Sequence, residues 1–431
     1  MSVLILLLVF VGLFALGVPI AVCIGVSTLA TMLVTMAFDP AVTTIAQRMA
    51  GGLNSFALLA IPLFILSGQL MAHGGIARRL IDFSKALIGM VPGGLAFVNV
   101  ISCTLFGAIS GSAVAATSAI GGFMIPEMNK DGYDKNFNAA LTATSATTGL
   151  LIPPSNVLII YAVASGGVSI AALFVAGYVP GILVGLGLMA VCAYYAKRHN
   201  LPRGERVPFT VTMQKTLAAL PSLFLIVLVI GGILGGIFTA TEAGAIAVLY
   251  AFGLAALIYR EIRVSELKEI LLKSAETTAI VMFLIATSMA MSWILAYENI
   301  PAIVAGALVE LSDNPIMILL LINLVLLMVG VFMDMTPAVL IFTPIFLPVA
   351  TELGMSQLHF GIMMVLNLCI GLCTPPVGSI LFVGCAIAKT SIGNIVRPML
   401  PMYLAMFVVL MLVAYVPALS EFLPRWYGLI E

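Results

Sequence analysis

Charged side chains make up only 8% of this 431-residue chain, with 18 Lys and Arg against 18 Asp and Glu. A soluble domain carries roughly 25%, so a water-exposed globule is excluded. The formal net charge of zero removes the electrostatic footprint of a nucleic-acid binder. Histidine is scarcer still, at three residues. They offer no nucleophile–base–acid set, and no iron–sulfur or zinc spacing occurs, so the chain reads as something other than an enzyme. Its six cysteines all lie within apolar runs. Cys369 and Cys373 are four apart on one helical face, but no histidine or further cysteine joins them, and they read as small buried hydrophobes. GCAIAKT (384–390) lacks the glycine that should precede the lysine of a phosphate-binding loop. No nucleotide domain is visible, and an ion gradient is the expected energy source.

What remains is apolar: 62% of residues are hydrophobic, and mean hydropathy is +1.22. Runs of about 20 residues, long enough to span a bilayer, recur along the whole length. The alternating segments of about ten residues that mark a β-barrel do not. The reading is an all-α polytopic membrane protein. Its first run, Val3 to Val22, has no basic residue before it and no small-residue cleavage site, so it reads as a retained span.

The chain also matches itself. Adding 222 carries Pro126, Gly132 and Gly149 to Pro348, Gly354 and Gly371. The same shift carries Pro153-Pro154 to Pro375-Pro376, and Ser169-Ile170 to Ser391-Ile392. Leucine matches are cheap in such a composition; a double proline on a double proline is not. Arg78, Arg79, Lys85, Lys130 and Lys135 flank the first glycine-rich segment. The equivalent loops of the second half hold Glu298, Glu310, Asp313 and Glu352, with no base. Since cytoplasmic loops collect Lys and Arg, the halves are expected to be inverted repeats, a pattern of secondary transporters.

Spans are expected near 3–22, 22–38 and 54–72, then an interfacial amphipathic segment at 75–88 and a re-entrant hairpin over 92–128. A broken span at 136–166 and a full span at 170–196 follow. The basic connector 197–206 precedes spans near 216–236 and 241–259, and a second basic stretch covers 260–273. The second repeat should hold a span at 275–297, a hairpin at 314–350, a broken span at 357–388 and a last span at 392–418. In domains, this gives 1–53, repeat one at 54–196, a connector with two spans at 197–274, and repeat two at 275–431. Threading places both termini outside, with Arg48 external as well.

Four interruptions carry the chemistry: the tips GAISGSA (107–113) and GVFMDMT (330–336), and the breaks PPSN (153–156) and PPVG (375–378). Proline removes a backbone donor and breaks a helix. In lipid each freed group needs a partner, which makes such a break costly. Helix ends meeting at mid-depth suit ions: N-termini attract anions, and unwound carbonyls with hydroxyls suit small hard cations. Ser110, Ser112, Ser155 and Asn156 offer neutral oxygens for one sodium ion. Asp334, Thr336 and Thr374, with the carbonyls of Gly330 and Pro375, offer a second set. The bland alternative is that these hydroxyls only cap helices or back-bond to the preceding turn. A carboxylate in an apolar hairpin is functional by default, so Asp334 could ligate a cation, face the substrate or carry a proton. Glu242 and Glu276 fall close to the membrane interfaces and suit structural roles.

At these residues the chain resembles the large membrane subunit of tripartite ATP-independent periplasmic (TRAP) transporters. The likeness runs through essentially the whole chain. It is carried by FGAISGSAVAATSAIGGFMIPEM (106–128), GLLIPPSNVLIIYA (149–162), GGIFTATEAGA (235–245), GVFMDMTPAVLIFTPIFLPV (330–349) and LNLCIGLCTPPVG (366–378). The resemblance implies a sodium-driven elevator in the bacterial inner membrane, with hairpins and broken helices sliding against a scaffold. It implies a small four-span membrane subunit and a periplasmic binding protein that delivers an organic acid. It also places sodium sites at the tips and breaks, which adds Gly107 to the first set and Gly378 to the second. Ser112, Asp334 and Ser379 become the substrate-facing candidates. Many dicarboxylate-type members have Glu at the position of Cys369 and Leu-Asn at Ser379-Ile380. Those departures favour a sugar acid, such as sialic acid or a hexuronate, over a C4-dicarboxylate. Two other readings compete. One is a self-sufficient sodium/carboxylate symporter of the divalent-anion type. The other is a structural or proton-conducting subunit of a respiratory complex, which should carry several mid-span lysines and glutamates; Asp334 is the one clear mid-membrane candidate here.

Overall fold

The computed structural model describes residues 2–204, 208–312 and 314–430; Glu205 and Arg206 of the basic connector, and Asp313, lie outside them. The described residues form α-helices and no named strand. Among the described residues eight helices are long and apolar enough to cross a membrane. The chain opens with α1 (Ser2–Ala15), α2 (Ile20–Thr35) and α3 (Phe38–Leu53). A short 3₁₀ turn leads into α4 (Ala60–His73), followed by α5 (Ile76–Ile88). Next come the hairpin α6 (Gly94–Ser110) and α7 (Ala113–Lys130), the interrupted pair α8 (Lys135–Thr148) and α9 (Asn156–Ala164), and the long α10 (Ile170–Arg198). Helices α11 (Phe209–Leu234) and α12 (Ala240–Phe252) precede α13 (Val264–Tyr297) and α14 (Ile300–Leu311). The chain then repeats the pattern: hairpin α15 (Pro315–Phe332) and α16 (Met335–Glu352), interrupted pair α17 (Gln357–Leu372) and α18 (Ser379–Ala388), and α19 (Ile392–Tyr415). It closes on α20 (Ala418–Trp426).

Helix starts follow local chemistry. Ser112, Asp134, Ser169, Asn314 and Ser356 each accept a backbone N–H of the first turn of α7, α8, α10, α15 and α17. This satisfies donors that a helix leaves orphaned. Thr239 and Glu242 cap α12 reciprocally, giving Glu242 a structural role. Bounds recur at the interval read from the prolines: α7, α8 and α10 begin at 113, 135 and 170, and α16, α17 and α19 at 335, 357 and 392.

Three elements differ from the hydropathy reading. Residues 38–53 form α3, which carries Asp39, Gln47 and Arg48 and so escapes a search for apolar runs. The basic stretch before 275 is not a separate segment but the first turns of the 34-residue α13, where Glu266, Lys268, Glu269, Lys273 and Glu276 are good helix formers. The last span stops at Tyr415, and the remaining residues form α20. Helix α13 packs along both α3 and α4. The interruption between α3 and α4 opens a cavity of about 650 Å³ bounded by Ser55, Gly166, Gly167, Thr239 and Thr241.

The core sits on α8 and α17. Every residue of α17 from Leu358 to Leu372 is buried, as is every residue of α8 from Phe137 to Thr148. Small residues let helices approach closely, and amides and hydroxyls join them across the gap. Asn99 of α6 donates to Thr142 of α8 at 2.7 Å. Asn367 of α17 donates to the side-chain oxygen of Asn323 in α15 at 2.8 Å. Each hairpin is thus tied to the interrupted helix that follows it.

Candidate functional site

Both breaks contain a cis proline pair, Pro153-Pro154 and Pro375-Pro376. Each break is reached by a hairpin through two glycines. A Cβ added to Gly149 would lie 2.5 Å from the Cα of Gly107, and one on Gly371 would lie 2.6 Å from the Cα of Gly330. No side chain fits at such separations, so glycine is required where backbone meets backbone. Just before the two breaks α8 and α17 touch: the Cys369 thiol donates to the Thr147 carbonyl at 3.4 Å. Tyr403 of α19 donates to the Cys373 carbonyl at 2.5 Å. The two double-proline segments therefore leave one shared crossing.

The first residue set gathers at one junction. Gly107 faces Gly149, and Gly111 turns the tip with φ +63°, a left-handed conformation suited to glycine. A Cβ on Gly111 would stand 2.9 Å from Asn156 Nδ2, placing the tip residues Ser110 and Ser112 beside the start of α9. Ser112 Oγ is held by the Ala115 N–H at 3.2 Å, and Ser110 Oγ donates to the Ser112 carbonyl at 3.4 Å. Ser155 Oγ donates to the Leu150 carbonyl at 2.5 Å. A hydroxyl that ligates a cation must send its proton elsewhere and keep its lone pairs; Ser155 does so. Asn156 Oδ1 is buried with no hydrogen-bond partner. A buried orphan oxygen is costly, and a cation would satisfy it.

The second set divides. Gly330 meets Gly371, the Gly378 N–H donates to the Val331 carbonyl at 3.4 Å, and Thr374 Oγ1 donates to the Ile370 carbonyl at 2.7 Å. Those groups and Pro375 form a junction like the first. Asp334 occupies the cap position of α16 but its side chain makes no cap bond, and the residue is exposed. No hydrogen bond joins Asp334 or Thr336 to Thr374 or Gly378 among the described residues. Ser379 opens α18 and is exposed. Among the described residues no three His, Cys, Asp or Glu gather as a transition-metal site.

Sequence reasoning placed the breaks but missed the Gly107–Gly149 and Gly330–Gly371 approaches. The recurrence of Gly149 at Gly371 was the available signal. Cys369 is fully buried at the α8–α17 crossing.

Comparison with known proteins fits this geometry. The family described as "Tripartite ATP-independent periplasmic transporter, DctM component" matches residues 7–419. The C4-dicarboxylate TRAP transporter large permease protein DctM of Pseudomonas aeruginosa is 43% identical over 94% of this chain and 94% of its own. The 2,3-diketo-L-gulonate TRAP transporter large permease protein YiaN of Escherichia coli is 38% identical over 99% and 100%. The sialic acid TRAP transporter large permease protein SiaM of Vibrio cholerae is 37% identical over 97% of each. Among solved structures the Alcanivorax borkumensis YdaH transporter superposes with TM-score 0.62 over 87% of this chain and 88% of its own, at 15% identity, a likeness of fold alone.

Proposed function

This chain belongs to the tripartite ATP-independent periplasmic transporter family as its large permease subunit, a multi-pass membrane protein, and we propose that it imports an organic acid by sodium-coupled elevator movement. The observation that carries the proposal is the pair of glycine-closed junctions, with Asn156 Oδ1 buried and unpartnered at the first. Gly107, Ser110, Ser112, Ser155 and Asn156 would hold one sodium ion. Gly330, Asp334, Thr336, Thr374, Pro375 and Gly378 would hold another, with Ser112, Asp334 and Ser379 towards the acid.

Contacts between positions 222 apart support this reading, in which the two halves are inverted repeats. Residues related by a two-fold axis can touch only near that axis, and Thr147 and Cys369, which stand 222 apart, do touch. The outer contacts are reciprocal as well: Tyr161 of α9 donates to Gln357 at the start of α17, and Thr390 beyond α18 donates to Asn136 at the start of α8. Inverted halves would leave both termini on the periplasmic side of the inner membrane. The hairpins and interrupted helices would move as one body against α1–α4 and α11–α13.

For the cargo, a sugar acid is favoured over a C4-dicarboxylate, since a thiol replaces a carboxyl at Cys369 and the first turn of α18 differs. Relatives named for each kind of cargo exist, and the choice rests on those residues. The small four-span subunit and the periplasmic binding protein are the expected partners. Uptake in proteoliposomes is expected only when both are supplied and an inward sodium gradient is imposed. Uptake by this chain alone would instead identify a self-sufficient symporter, and uptake indifferent to sodium would remove the ion coupling.

A further inference from the structure

Where α10 ends and α8 and α19 begin, a cavity of about 650 Å³ opens, lined by Asp134, Asn136, Tyr194, Arg198, His199 and Arg397. One wall is stiff: Phe137 stacks on Tyr195 at 3.6 Å, and Tyr195 packs on His199 at 4.2 Å. Arg198 donates to Tyr194 Oη at 3.0 Å, which aims its guanidinium along that wall. The cavity also holds one carboxylate, Asp134, whose Oδ1 caps α8 by accepting the N–H groups of Asn136 and Phe137, each at 2.9 Å. Among the described residues no carboxylate pairs with Arg198 or Arg397. Pro398 and Pro401 have no N–H, so the carbonyls of Asn394 and Arg397 lack the donor four residues on. The cavity thus sets two unpaired guanidinium groups against one carboxylate, and adds two carbonyls that lack their i+4 donors.

The surface below it is apolar. Helices α10 and α19 run side by side, with Gly187 against Ala405, where an added Cβ would stand 3.5 Å away. Along that pair Ile182 and Leu186 are 52% and 55% exposed, and Leu400 and Leu404 are 58% and 66% exposed. A free anion has no use for such a seam, whereas an amphiphile needs both parts. Basic pockets between helices at the cytoplasmic interface suit anionic headgroups, and arginine forks suit phosphate oxygens.

We propose that this cavity binds the headgroup of an anionic phospholipid. Its phosphodiester sits on Arg198 and Arg397, its headgroup hydroxyls donate to the Asn394 and Arg397 carbonyls, and its acyl chains lie along the leucines of the seam. The site is separate from the glycine junctions, and the test does not depend on transport.

The test uses the full permease with its small membrane subunit, equilibrated in phosphatidylcholine discs containing phosphatidylglycerol, then extracted and weighed by native mass spectrometry. Wild type is expected to retain phosphatidylglycerol, and the Arg198→Gln/Arg397→Gln variant about tenfold less. Thermal unfolding in pure phosphatidylcholine should be the same for both. If the double variant does not fold, Arg397→Gln alone decides, with a loss of several-fold expected. Equal retention by wild type and variant would overturn the proposal. Complete displacement of phosphatidylglycerol by millimolar inorganic phosphate would overturn it too, reassigning the cavity to a soluble anion.

Discussion

Asn156 and Ser155 differ in how their side-chain oxygens are engaged. Ser155 has sent its proton to the Leu150 carbonyl, whereas Asn156 Oδ1 is buried with nothing to accept from. Replacing either by Ala is expected to raise the sodium concentration for half-maximal uptake several-fold, with expression unchanged; a sodium titration of uptake checks it. Asp334 has no cap bond, and among the described residues no cation pairs with it. An unpaired carboxylate at membrane depth is expensive unless it works, so Asp334→Ala is expected to abolish uptake while the protein still reaches the membrane. The glycines give a sharper test. Gly149→Ala would force a methyl to within 2.5 Å of the Gly107 backbone, whereas Gly122 in α7 has open space around it. Uptake is expected to vanish in Gly149→Ala and to persist in Gly122→Ala, measured at equal membrane content.

Helix α5 is held by ion pairs to more than one neighbouring element. Asp82 pairs with Lys215 of α11 at 2.7 Å, and Arg79 pairs with Glu261 at 2.9 Å while lying 3.6 Å over the ring of Tyr259. On its other side Lys85 pairs with Glu127 near the end of α7. Surface pairs contribute only about 0–1 kcal/mol each, so they set position rather than stability. Glu127→Lys is therefore expected to slow uptake several-fold with little change in unfolding temperature. The exchanged pair Lys85→Glu/Glu127→Lys should recover it, and initial rates in proteoliposomes decide. The polar helix α8 shows what hydropathy reads poorly. It is a Thr-, Ser- and Ala-rich segment, yet it lies at the centre, where the hydroxyls of Thr142, Thr144 and Thr147 bond to its own turns and Asn99 donates to Thr142, while those of Ser145 and Thr148 are buried without a partner. The double proline nearby located it; its composition alone would have suggested a loop or a surface helix. Helix α3 was missed for the opposite reason, since Gln47 and Arg48 interrupt its apolar residues.

At the scale of the whole molecule, membrane class, hairpin positions and both breaks were legible without coordinates. Apolar runs of bilayer length, prolines without donors and an ungapped offset of 222 are properties of the chain in order. Contacts between distant segments are not. That Gly107 meets Gly149, that Thr147 meets Cys369, and that α3 and α4 together run along the single α13 depend on how helices lie against one another. Close packing decides those matters, through small residues that admit a neighbouring backbone and side chains that do not. The order of residues by itself therefore determined a helical membrane protein that matches itself at an offset of 222 and is interrupted at four places. Only the tertiary structure decided which oxygens at those interruptions are already bonded and which, like that of Asn156, are buried without a partner, because a hydrogen bond made in space consumes what a residue type merely offers.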